Sequence, residues 1–263
     1  MKIRILMLSL LGLIFFNSCS SDSNSSNSTL QNLDPNTILP KKIIRENAFD
    51  ESISYEFFYN QSKLDHIHYD YFDNGNNFEL DFNFTYNGNL ISEIEVIDNS
   101  GQVYSKTEFT YLNNKLVNKK VTENFDSFIT ERLYTYTYNS SNNIITRAAT
   151  YTDINGDSST GTDTFTITNN LVFKYGEFYS TSHSPFKNII GIQDALIEGG
   201  TEYGDYSTSF DINSIFFSTT KNIIDLQGGR FVYIYNDIEF PTTALYYENG
   251  INFTPLNYQI FYQ

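Results

Sequence analysis

Tryptophan is absent from this chain of 263 residues, and cysteine occurs once, at Cys19. A single thiol excludes both a disulfide framework within the chain and a zinc site built from several cysteines. Basic residues are also few, because 16 Lys and Arg stand against 31 Asp and Glu and give a net charge of −15. A surface of that sign repels phosphate backbones, so nucleic-acid binding is excluded as a function.

Alanine, the best helix former, is scarce, with five residues, whereas the chain has 21 Tyr and 23 Phe. Aromatic side chains fit the half-buried surface of a pleated sheet better than a helix. The composition therefore favours an all-β fold. Long apolar runs are missing as well, because the longest one covers only residues 5–16. Such a run is too short to span a bilayer.

The N-terminus is organised like a secretory signal peptide, with Lys2 and Arg4 before the apolar run 5–16. This order of a short charged region and an apolar stretch predicts that residues 1–18 are removed. The sequence Phe16-Asn17-Ser18-Cys19 resembles the lipobox of bacterial lipoproteins. The resemblance implies that the Cys19 thiol is acylated and that the chain is cut just before it. An ordinary signal peptide with an incidental cysteine is the alternative.

Residues 19–40 follow the signal peptide. The first part of this segment consists almost entirely of Ser, Asn, Asp and Thr. It cannot bury enough apolar surface to order itself, so we expect a flexible tether between a lipidated Cys19 and a domain at 41–263. A lipid anchor implies an outer-membrane lipoprotein whose partner is the membrane itself. The sequence leaves the leaflet open, and we expect a monomer.

Two series of turns repeat along the first half of the chain. One series is centred on aspartates spaced 25, 28 and 27 residues apart, and the other on tyrosines spaced 27, 25 and 27 apart. Both kinds of turn are rich in Asn, Asp and Gly, which tolerate the backbone of tight hairpins. The aspartates are Asp73, Asp98, Asp126 and Asp153, and the tyrosines are Tyr59, Tyr86, Tyr111 and Tyr138.

Between the turns, aromatic or β-branched residues alternate with polar ones, as in 78–86 and 133–138. That period of two indicates half-buried strands. Each repeat of about 26 residues is then two strands and two tight turns. We predict an antiparallel meander of such hairpins forming one extended, twisted sheet. The predicted strands are 53–59, 64–72, 77–86, 90–97, 102–111, 115–124, 128–138, 143–152, 162–168 and 171–179.

These Tyr-Asn and Asp-Asn-Gly turns resemble YD/RHS-type repeats. They are more similar still to the domains of unknown function in Bacteroidetes lipoproteins, such as the DUF4595-like group. The resemblance covers residues 50–263 and includes Ser184-Pro185-Phe186-Lys187-Asn188-Ile189 and the closing hairpin 233–242. It implies the repeat architecture but no activity, because fold alone does not assign one.

The repeat stops after Tyr179. Proline and glycine interrupt residues 180–207, which predicts an irregular insertion with a short helix near 189–197. Strands return at 209–218, 221–227, 230–236, 242–247 and 256–262, and they continue or cap the same sheet. A boundary near residue 180, with a separate small C-terminal unit, remains an alternative.

Two groups of residues have spacings that metal sites use. His66 and His68 lie on one face of a predicted strand, as zinc and copper ligands do. Asp153, Asn155 and Asp157 occupy the first, third and fifth positions of a calcium loop, but the sixth residue is Ser and the twelfth is Thr. An exposed strand and an ordinary hairpin turn explain the same residues, so we expect no metal and no other cofactor.

Tyr134, Tyr136 and Tyr138 lie on one face of a predicted strand. Such a row of rings could contact a sugar or a peptide, although cross-strand packing explains it without a ligand. No recognisable set of catalytic residues is present.

We therefore expect a non-enzymatic envelope protein that binds or scaffolds an unidentified protein or glycan. A hydrolase for polysaccharide use, with a site near 180–207, and a calcium-stabilised adhesin module are the alternatives.

Overall fold

The computed structural model describes residues 34–46, 51–73, 75–125, 128–153, 155–168, 171–173, 178–192, 221–226, 229–248 and 255–263. The stretch Asp34–Gln263 forms one compact unit. Cys19, the signal peptide and most of the predicted tether lie outside the described residues. Within the described ranges, no helix is both long and apolar enough to cross a membrane.

The described residues fold into sixteen strands, which confirms the all-β prediction. They are β1 Pro40–Glu46, β2 Ser52–Asn60, β3 Lys63–Asp73, β4 Asn76–Asn87, β5 Leu90–Asp98, β6 Val103–Leu112, β7 Lys115–Phe125, β8 Phe128–Tyr138, β9 Ile144–Thr152, β10 Ser158–Thr168, β11 Leu171–Phe173, β12 Phe178–His183, β13 Lys221–Leu226, β14 Gly229–Tyr235, β15 Pro241–Glu248 and β16 Leu256–Tyr262.

All sixteen strands belong to one sheet with the order β11-β10-β9-β8-β7-β6-β5-β4-β3-β2-β1-β16-β15-β14-β13-β12. The predicted meander is confirmed as the run from β2 to β11, and β1, which was not predicted, extends it at one side. The C-terminal strands form a second meander, from β12 to β16, and continue the sheet on the other side of β1. The two meanders meet where β1 pairs antiparallel with β16, for example Ile43 with Ile260.

The connectivity shows that the sheet is strongly curved. Strands β11 and β12 are its two edges, yet only residues 174–177 separate Phe173 from Phe178 along the chain. An extended chain of that length spans at most about 18 Å, whereas the edges of a flat sheet of this width would be about 70 Å apart. The sheet therefore curls until its edges approach each other. Among the described strands, β11 and β12 form no ladder with each other.

The curled sheet has an inner face that forms the core and an outer face that is exposed to solvent, because residues on each strand alternate between them. Inner-face side chains make up the core, and most expose less than a tenth of their surface. The outer face carries cross-strand ion pairs such as Lys106 with Glu93 at 2.7 Å and Lys120 with Glu131 at 2.6 Å. The core includes Ile43, Ile53, Tyr55, Phe57, Leu64, Ile67, Leu80, Phe82, Phe84, Ile91, Ile94, Val96, Phe109, Leu116, Tyr136, Ile145, Phe165, Phe231, Ala244, Tyr258 and Ile260.

The repeated tyrosines have a structural role at β-bulges. The ladder between β4 and β5 skips Ser92, and the ladder between β6 and β7 skips Val117. A bulge leaves backbone groups of the ladder without a strand partner. The Tyr111 hydroxyl donates to the carbonyl oxygen of Ile91, just before the first bulge, at 2.9 Å. The Tyr138 hydroxyl donates likewise to the carbonyl oxygen of Leu116, just before the second bulge, at 3.0 Å.

The same arrangement occurs at bulges in β1 and β15. Tyr59 donates to the carbonyl of Pro40 at 2.8 Å, and Tyr262 donates to that of Pro241 at 2.6 Å. In both cases the ladder skips the residue after the proline. Desolvation raises the pKa of Tyr59 and of Tyr262 well above the ordinary value, so both phenols stay protonated donors.

We expect Tyr111→Phe to lower the free energy of unfolding by about 1–2 kcal/mol, because the partly buried Ile91 carbonyl then loses its donor. Chemical denaturation followed by circular dichroism measures the change. Tyr104→Phe is the matched control, since the Tyr104 hydroxyl makes no hydrogen bond within the described residues. Equal stability of the two variants would contradict the role of Tyr111.

The aspartate turns share one hydrogen-bond pattern. The Asp98 carboxylate accepts from the backbone nitrogens of Ser100 and Gln102, both at 2.9 Å. A hydrogen bond from the Ser100 hydroxyl, together with these backbone bonds, holds the pKa of Asp98 below its usual range. Gly101 then has φ +82°, a backbone that side chains disfavour. The turn 153–157 repeats this pattern with Gly156 at φ +82°.

Asn236 builds the same turn before β15, but Glu239 occupies the glycine position with φ +62°. We expect Glu239→Gly to raise the free energy of unfolding by about 1 kcal/mol, because a left-handed backbone costs a side chain about 1–2 kcal/mol. Thermal or chemical denaturation measures the gain. The reverse change at the matched position, Gly101→Glu, should lower stability, and a loss of stability in Glu239→Gly would refute the explanation.

Residues 184–192 pack against one end of the inner face. Phe186 is 2% exposed, and its ring lies 6.0 Å from that of Phe57. Ile190 donates its backbone N–H to Ser62 at 2.9 Å and accepts from the Tyr86 hydroxyl at 3.1 Å. The segment therefore covers the end of the sheet where β2 turns into β3 and β4 into β5.

One prediction in this part of the chain needs correction. Residues 171–179 were predicted as one strand, but β11 and β12 are separate and lie at opposite edges of the sheet. The helix predicted near 189–197 is described only as far as Ile192: residues 189–191 lie in a bend and turns, Ile192 is helical, and 193–197 lie outside the described residues. The predicted strand 209–218 also lies outside them.

Candidate ligand-binding site

The three predicted tyrosines of β8 all lie on the inner face but differ in their surroundings. Tyr136 is 2% exposed and belongs to the core. The Tyr138 hydroxyl donates a hydrogen bond to the Leu116 carbonyl at the bulge in β7. Lys115 Nζ lies 5.1 Å from the centre of the Tyr138 ring. Tyr134 is partly buried and lies among cations. Of the three, Tyr134 is the candidate for ligand contact.

Cationic side chains surround Tyr134 on the inner face. Lys119 of β7 places its Nζ 5.6 Å from the centre of the Tyr134 ring, and Arg147 of β9 places its Cζ at 5.3 Å. Both distances are typical of cation–π interactions. Arg147 also lies 5.3 Å from the Phe165 ring, and Lys119 lies 5.9 Å from that of Phe109. Lys119 and Arg147 are 8% and 9% exposed.

Arg132 of β8 extends this group along the same face. Its Cζ lies 5.5 Å from the centre of the Tyr151 ring. One of its terminal nitrogens lies 3.2 Å from the carboxylate of Glu123, which is 2% exposed and also accepts from the Thr130 hydroxyl at 3.0 Å. We call Lys119, Arg132, Tyr134, Arg147 and Tyr151 the cation–aromatic cluster.

Small residues lie beside the cluster. Ala149 of β9 pairs with Tyr134 on one side and with Gly161 of β10 on the other. A Cβ atom added at Gly161 would meet no atom of the described residues within 4 Å, and Gly161 has no positive φ. Glycine inside a strand often marks a place where another molecule approaches the backbone. Ala149 and Gly161 therefore leave an unfilled surface next to the cations, which we call the open floor.

The sequence signal for this cluster was incomplete. Arg132 and the three tyrosines have the same parity along β8, so their common face can be predicted. Lys119 and Glu123 face inward only because the bulge at Val117 shifts the alternation in β7. Without the bulge, the alternation from Leu116 would place Lys119 on the outer face.

The two histidines lie on the outer face of β3, on either side of the buried Ile67. His66 stacks on Phe58 with ring centres 4.2 Å apart, and its Nδ1 lies 2.9 Å from the Asp65 carboxylate. His68 Nδ1 lies 2.8 Å from the Asp81 carboxylate. Each imidazole thus has its own carboxylate partner. The described residues contain no group of three or more His, Cys, Asp or Glu side chains placed to hold a metal ion.

The candidate calcium loop lies in the hairpin between β9 and β10. Asp153 Oδ1 accepts from the backbone nitrogens of Asn155 at 2.8 Å and Asp157 at 2.9 Å. Gly156 donates its N–H to the Asp153 carbonyl at 3.0 Å. This carboxylate stabilises the turn, as Asp98 does in the previous repeat.

The described part of 180–207 is well packed around His183 and Ser184. Ser184 is fully buried, and its hydroxyl accepts from the Phe186 backbone nitrogen at 3.2 Å. The His183 ring lies 5.2 Å from that of Phe240, and its Nε2 lies 3.4 Å from Lys187 Nζ. Residues 193–207 lie outside the described residues, so the hydrolase alternative stays a hypothesis.

Comparison with known proteins gives only distant similarity. No family model matches the chain, and no curated protein matches it. A porin-like protein from Bacteroides uniformis is 13% identical with a TM-score of 0.45, and the match covers 85% of this chain and 98% of that one. A porin-like protein from Bacteroides vulgatus is 12% identical with a TM-score of 0.41, covering 86% and 98%. At these TM-scores the likeness carries no argument about this chain.

Proposed function

We propose that this chain is a lipid-anchored protein of the cell envelope that binds a ligand on the inner face of its sheet and catalyses no reaction. The sequence Phe16-Asn17-Ser18-Cys19 supports the anchor. The observation that carries the binding function is the cation–aromatic cluster beside its open floor. Aromatic side chains with a few placed polar or charged groups are typical of the lining of small-ligand sites.

The described residues of this surface favour binding over hydrolysis. A glycosidase needs two carboxyl groups on either side of the scissile bond. On the inner face of β7, the Glu123 carboxylate is already bonded to Arg132 and Thr130. That carboxylate stabilises a neighbouring cation and is buried, so it is badly placed to act as a general acid.

Gly161→Val tests the binding function. The added side chain occupies the open floor, and a β-branched residue suits a strand, so the fold should keep its stability. The purified protein and the variant are screened against neutral and acidic oligosaccharides and peptides by calorimetry and for turnover. Binding by the parent that the variant lacks, with no product formed, supports the proposal. Binding that the variant retains, or turnover that the variant lacks, would refute it.

The anchor is tested separately with Cys19→Ser. Cells fed an alkyne analogue of palmitate should label the parent protein, and the label should be lost from the variant. A variant Ser18→Ala keeps the thiol and serves as the matched control. Labelling of the Cys19→Ser protein, or a parent without label, would contradict lipidation at this residue.

A further inference from the structure

The turns at the two ends of the sheet differ in charge. Four turns that follow the repeated tyrosines contain two lysines and no acid, whereas the aspartate turns at the opposite end contain acids and no base. The first group, which we call the tyrosine-turn rim, comprises residues 60–63, 87–90, 112–115 and 139–144. The aspartate turns compared with it are 73–76, 98–102 and 153–157. We infer that the rim contacts the anionic headgroups of a phospholipid membrane, an inference that rests on the lipid anchor of the proposed function.

The chain enters the sheet at the same end as this rim. The Asn188 side-chain amide donates to the carbonyl oxygens of Pro35 at 2.9 Å and Ile38 at 2.8 Å, just before β1 begins. Ile190 of the same segment donates its backbone N–H to Ser62 in the rim at 2.9 Å. This segment therefore joins the residues before β1 to the rim.

The length of chain after the anchor favours the rim as the end that faces the lipid. From Cys19 to Asp34 the chain spans at most about 55 Å, even when fully extended. Bringing the aspartate turns to the membrane would require that chain to run the length of the sheet. Strand β4 has 12 residues and so measures about 40 Å. The rim reaches the lipid without that detour.

The two lysines of the rim differ from those along the outer face. The outer-face lysines that bind a glutamate, each at 2.7 Å or less, are Lys42, Lys106 and Lys120. Lys63 and Lys115 have no carboxylate within ion-pair distance among the described residues. Lys63 Nζ donates to the Gly88 carbonyl oxygen at 2.6 Å, and Lys115 Nζ to the Asn142 side chain. An ammonium has three donors, so each lysine keeps donors for a lipid phosphate.

Two further lysines and three acids lie beside the rim at the same end. Lys41, exposed at the bulge in β1, and Lys187 have no carboxylate partner within the described part of the chain. The acids are Asp34, before β1, and Asp237 and Glu239, in the turn before β15. All three lie outside the rim, so the turns of the first meander are the part of this end that suits an anionic surface.

Apolar side chains accompany the lysines in the rim. Leu112 pairs with Lys115 across its turn and is 63% exposed, the highest value among the described large apolar side chains. Ile144, in the next rim turn, is 37% exposed. In proteins that bind membrane surfaces, apolar side chains enter the boundary between headgroups and acyl chains while basic groups stay with the headgroups. Leu112 beside Lys115 has that composition.

The full-length lipidated protein in vesicles tests the inference. The vesicles contain phosphatidylcholine, phosphatidylglycerol and a lipid with a nitroxide on its headgroup. A fluorophore is attached to a second cysteine, because the acylated Cys19 thiol does not react. Ser141→Cys places this label in the rim, and Asn99→Cys places the control label in an aspartate turn; both positions are exposed. The nitroxide should quench the rim label at least about threefold more than the control label, because a strand length of about 35 Å separates the two ends.

Substitutions in the rim test the chemistry of the contact. Lys63→Gln with Lys115→Gln should reduce quenching of the rim label at least about twofold, because each lysine near an anionic surface adds attraction. Lys106→Gln with Lys120→Gln changes the net charge equally on the outer face and should leave quenching unchanged. Because Lys63 and Lys115 also link neighbouring turns, thermal denaturation checks the fold. Leu112→Asn, which breaks no such link, should also reduce quenching.

The outcomes separate this inference from the proposed anchor. Protein that does not float with the vesicles refutes the anchor and this inference together. Protein that floats, but in which the control label is quenched as much as the rim label or neither label is quenched, keeps the anchor and overturns the inference. An equal loss of quenching in the two lysine pairs would overturn it too. If rim labels instead quench each other between proteins, a second copy covers the rim and the membrane is not its partner.

Discussion

Phe186→Ala is expected to lower the free energy of unfolding by about 3–5 kcal/mol, the largest effect of any single change considered for this chain. Phe186 is 2% exposed and packs against Phe57 inside the curled sheet. Its loss leaves a cavity between the segment 184–192 and the core, which the surrounding strands cannot fill without distortion. Chemical denaturation followed by circular dichroism measures the change.

Phe58→Ala is the matched control for this experiment. Phe58 is the next residue after Phe57 along β2, faces outward and is 41% exposed. It stacks on His66, so its removal should cost no more than about 1.5 kcal/mol. If Phe186→Ala proves as mild as Phe58→Ala, the segment 184–192 does not stabilise the sheet from inside.

Gly191→Ala is expected to lower the free energy of unfolding by about 2–4 kcal/mol, since two penalties add. Gly191 has φ +78°, which disfavours any side chain. A Cβ atom there would also lie 2.7 Å from the carbonyl oxygen of Asn89 and 3.2 Å from the backbone nitrogen of Ile91. Both are backbone atoms of the β4–β5 hairpin, so neither can rotate away.

Gly161→Ala separates this close approach from the general effect of replacing glycine. Gly161 has no positive φ, and within the part of the chain that the structure describes no atom lies within 4 Å of an added Cβ. Alanine should there leave stability unchanged or raise it by up to about 1 kcal/mol, because it restricts the unfolded chain. A similar loss in both variants would show that Gly191 has no special contact with the hairpin.

The repeat pattern predicted most of the first meander. The strand predicted at 64–72 is Lys63–Asp73, and the one predicted at 128–138 is Phe128–Tyr138. These predictions succeed because each strand alternates in a period of two and ends in a turn rich in Asn, Asp or Gly. Local sequence therefore carries the information for hairpins whose partners are neighbours along the chain.

Pairing between distant strands could not be read in the same way. Pro40–Glu46 shows no alternation, yet it is the central strand that joins the two meanders through its ladder with Leu256–Tyr262. Residues 171–179 look like one strand by pattern, but Leu171–Phe173 and Phe178–His183 pair with different neighbours. Only the long-range ladders determine that these short strands become the two edges.

The candidate site was predictable only in part for the same reason. The inward direction of Tyr134 follows from alternation along β8. Lys119 reaches the same patch because the ladder skips Val117, and one skipped residue reverses every later side chain in a strand. Arg147 comes next to Tyr134 through the β8–β9 register. The tyrosines were thus identified, but the cations that distinguish a binding surface from ordinary packing were not.

The curvature of the sheet is the central claim, because the inner face and its cluster depend on it, and one distance measures it. Spin labels at Thr164→Cys in β10 and Ile234→Cys in β14, in a Cys19→Ser background, lie on exposed positions near opposite edges. Pulsed electron paramagnetic resonance should give a separation below about 40 Å, because only residues 174–177 separate the edge strands. A separation near 60 Å, as expected for a flat sheet of this strand order, would contradict the curvature and with it the site on the inner face.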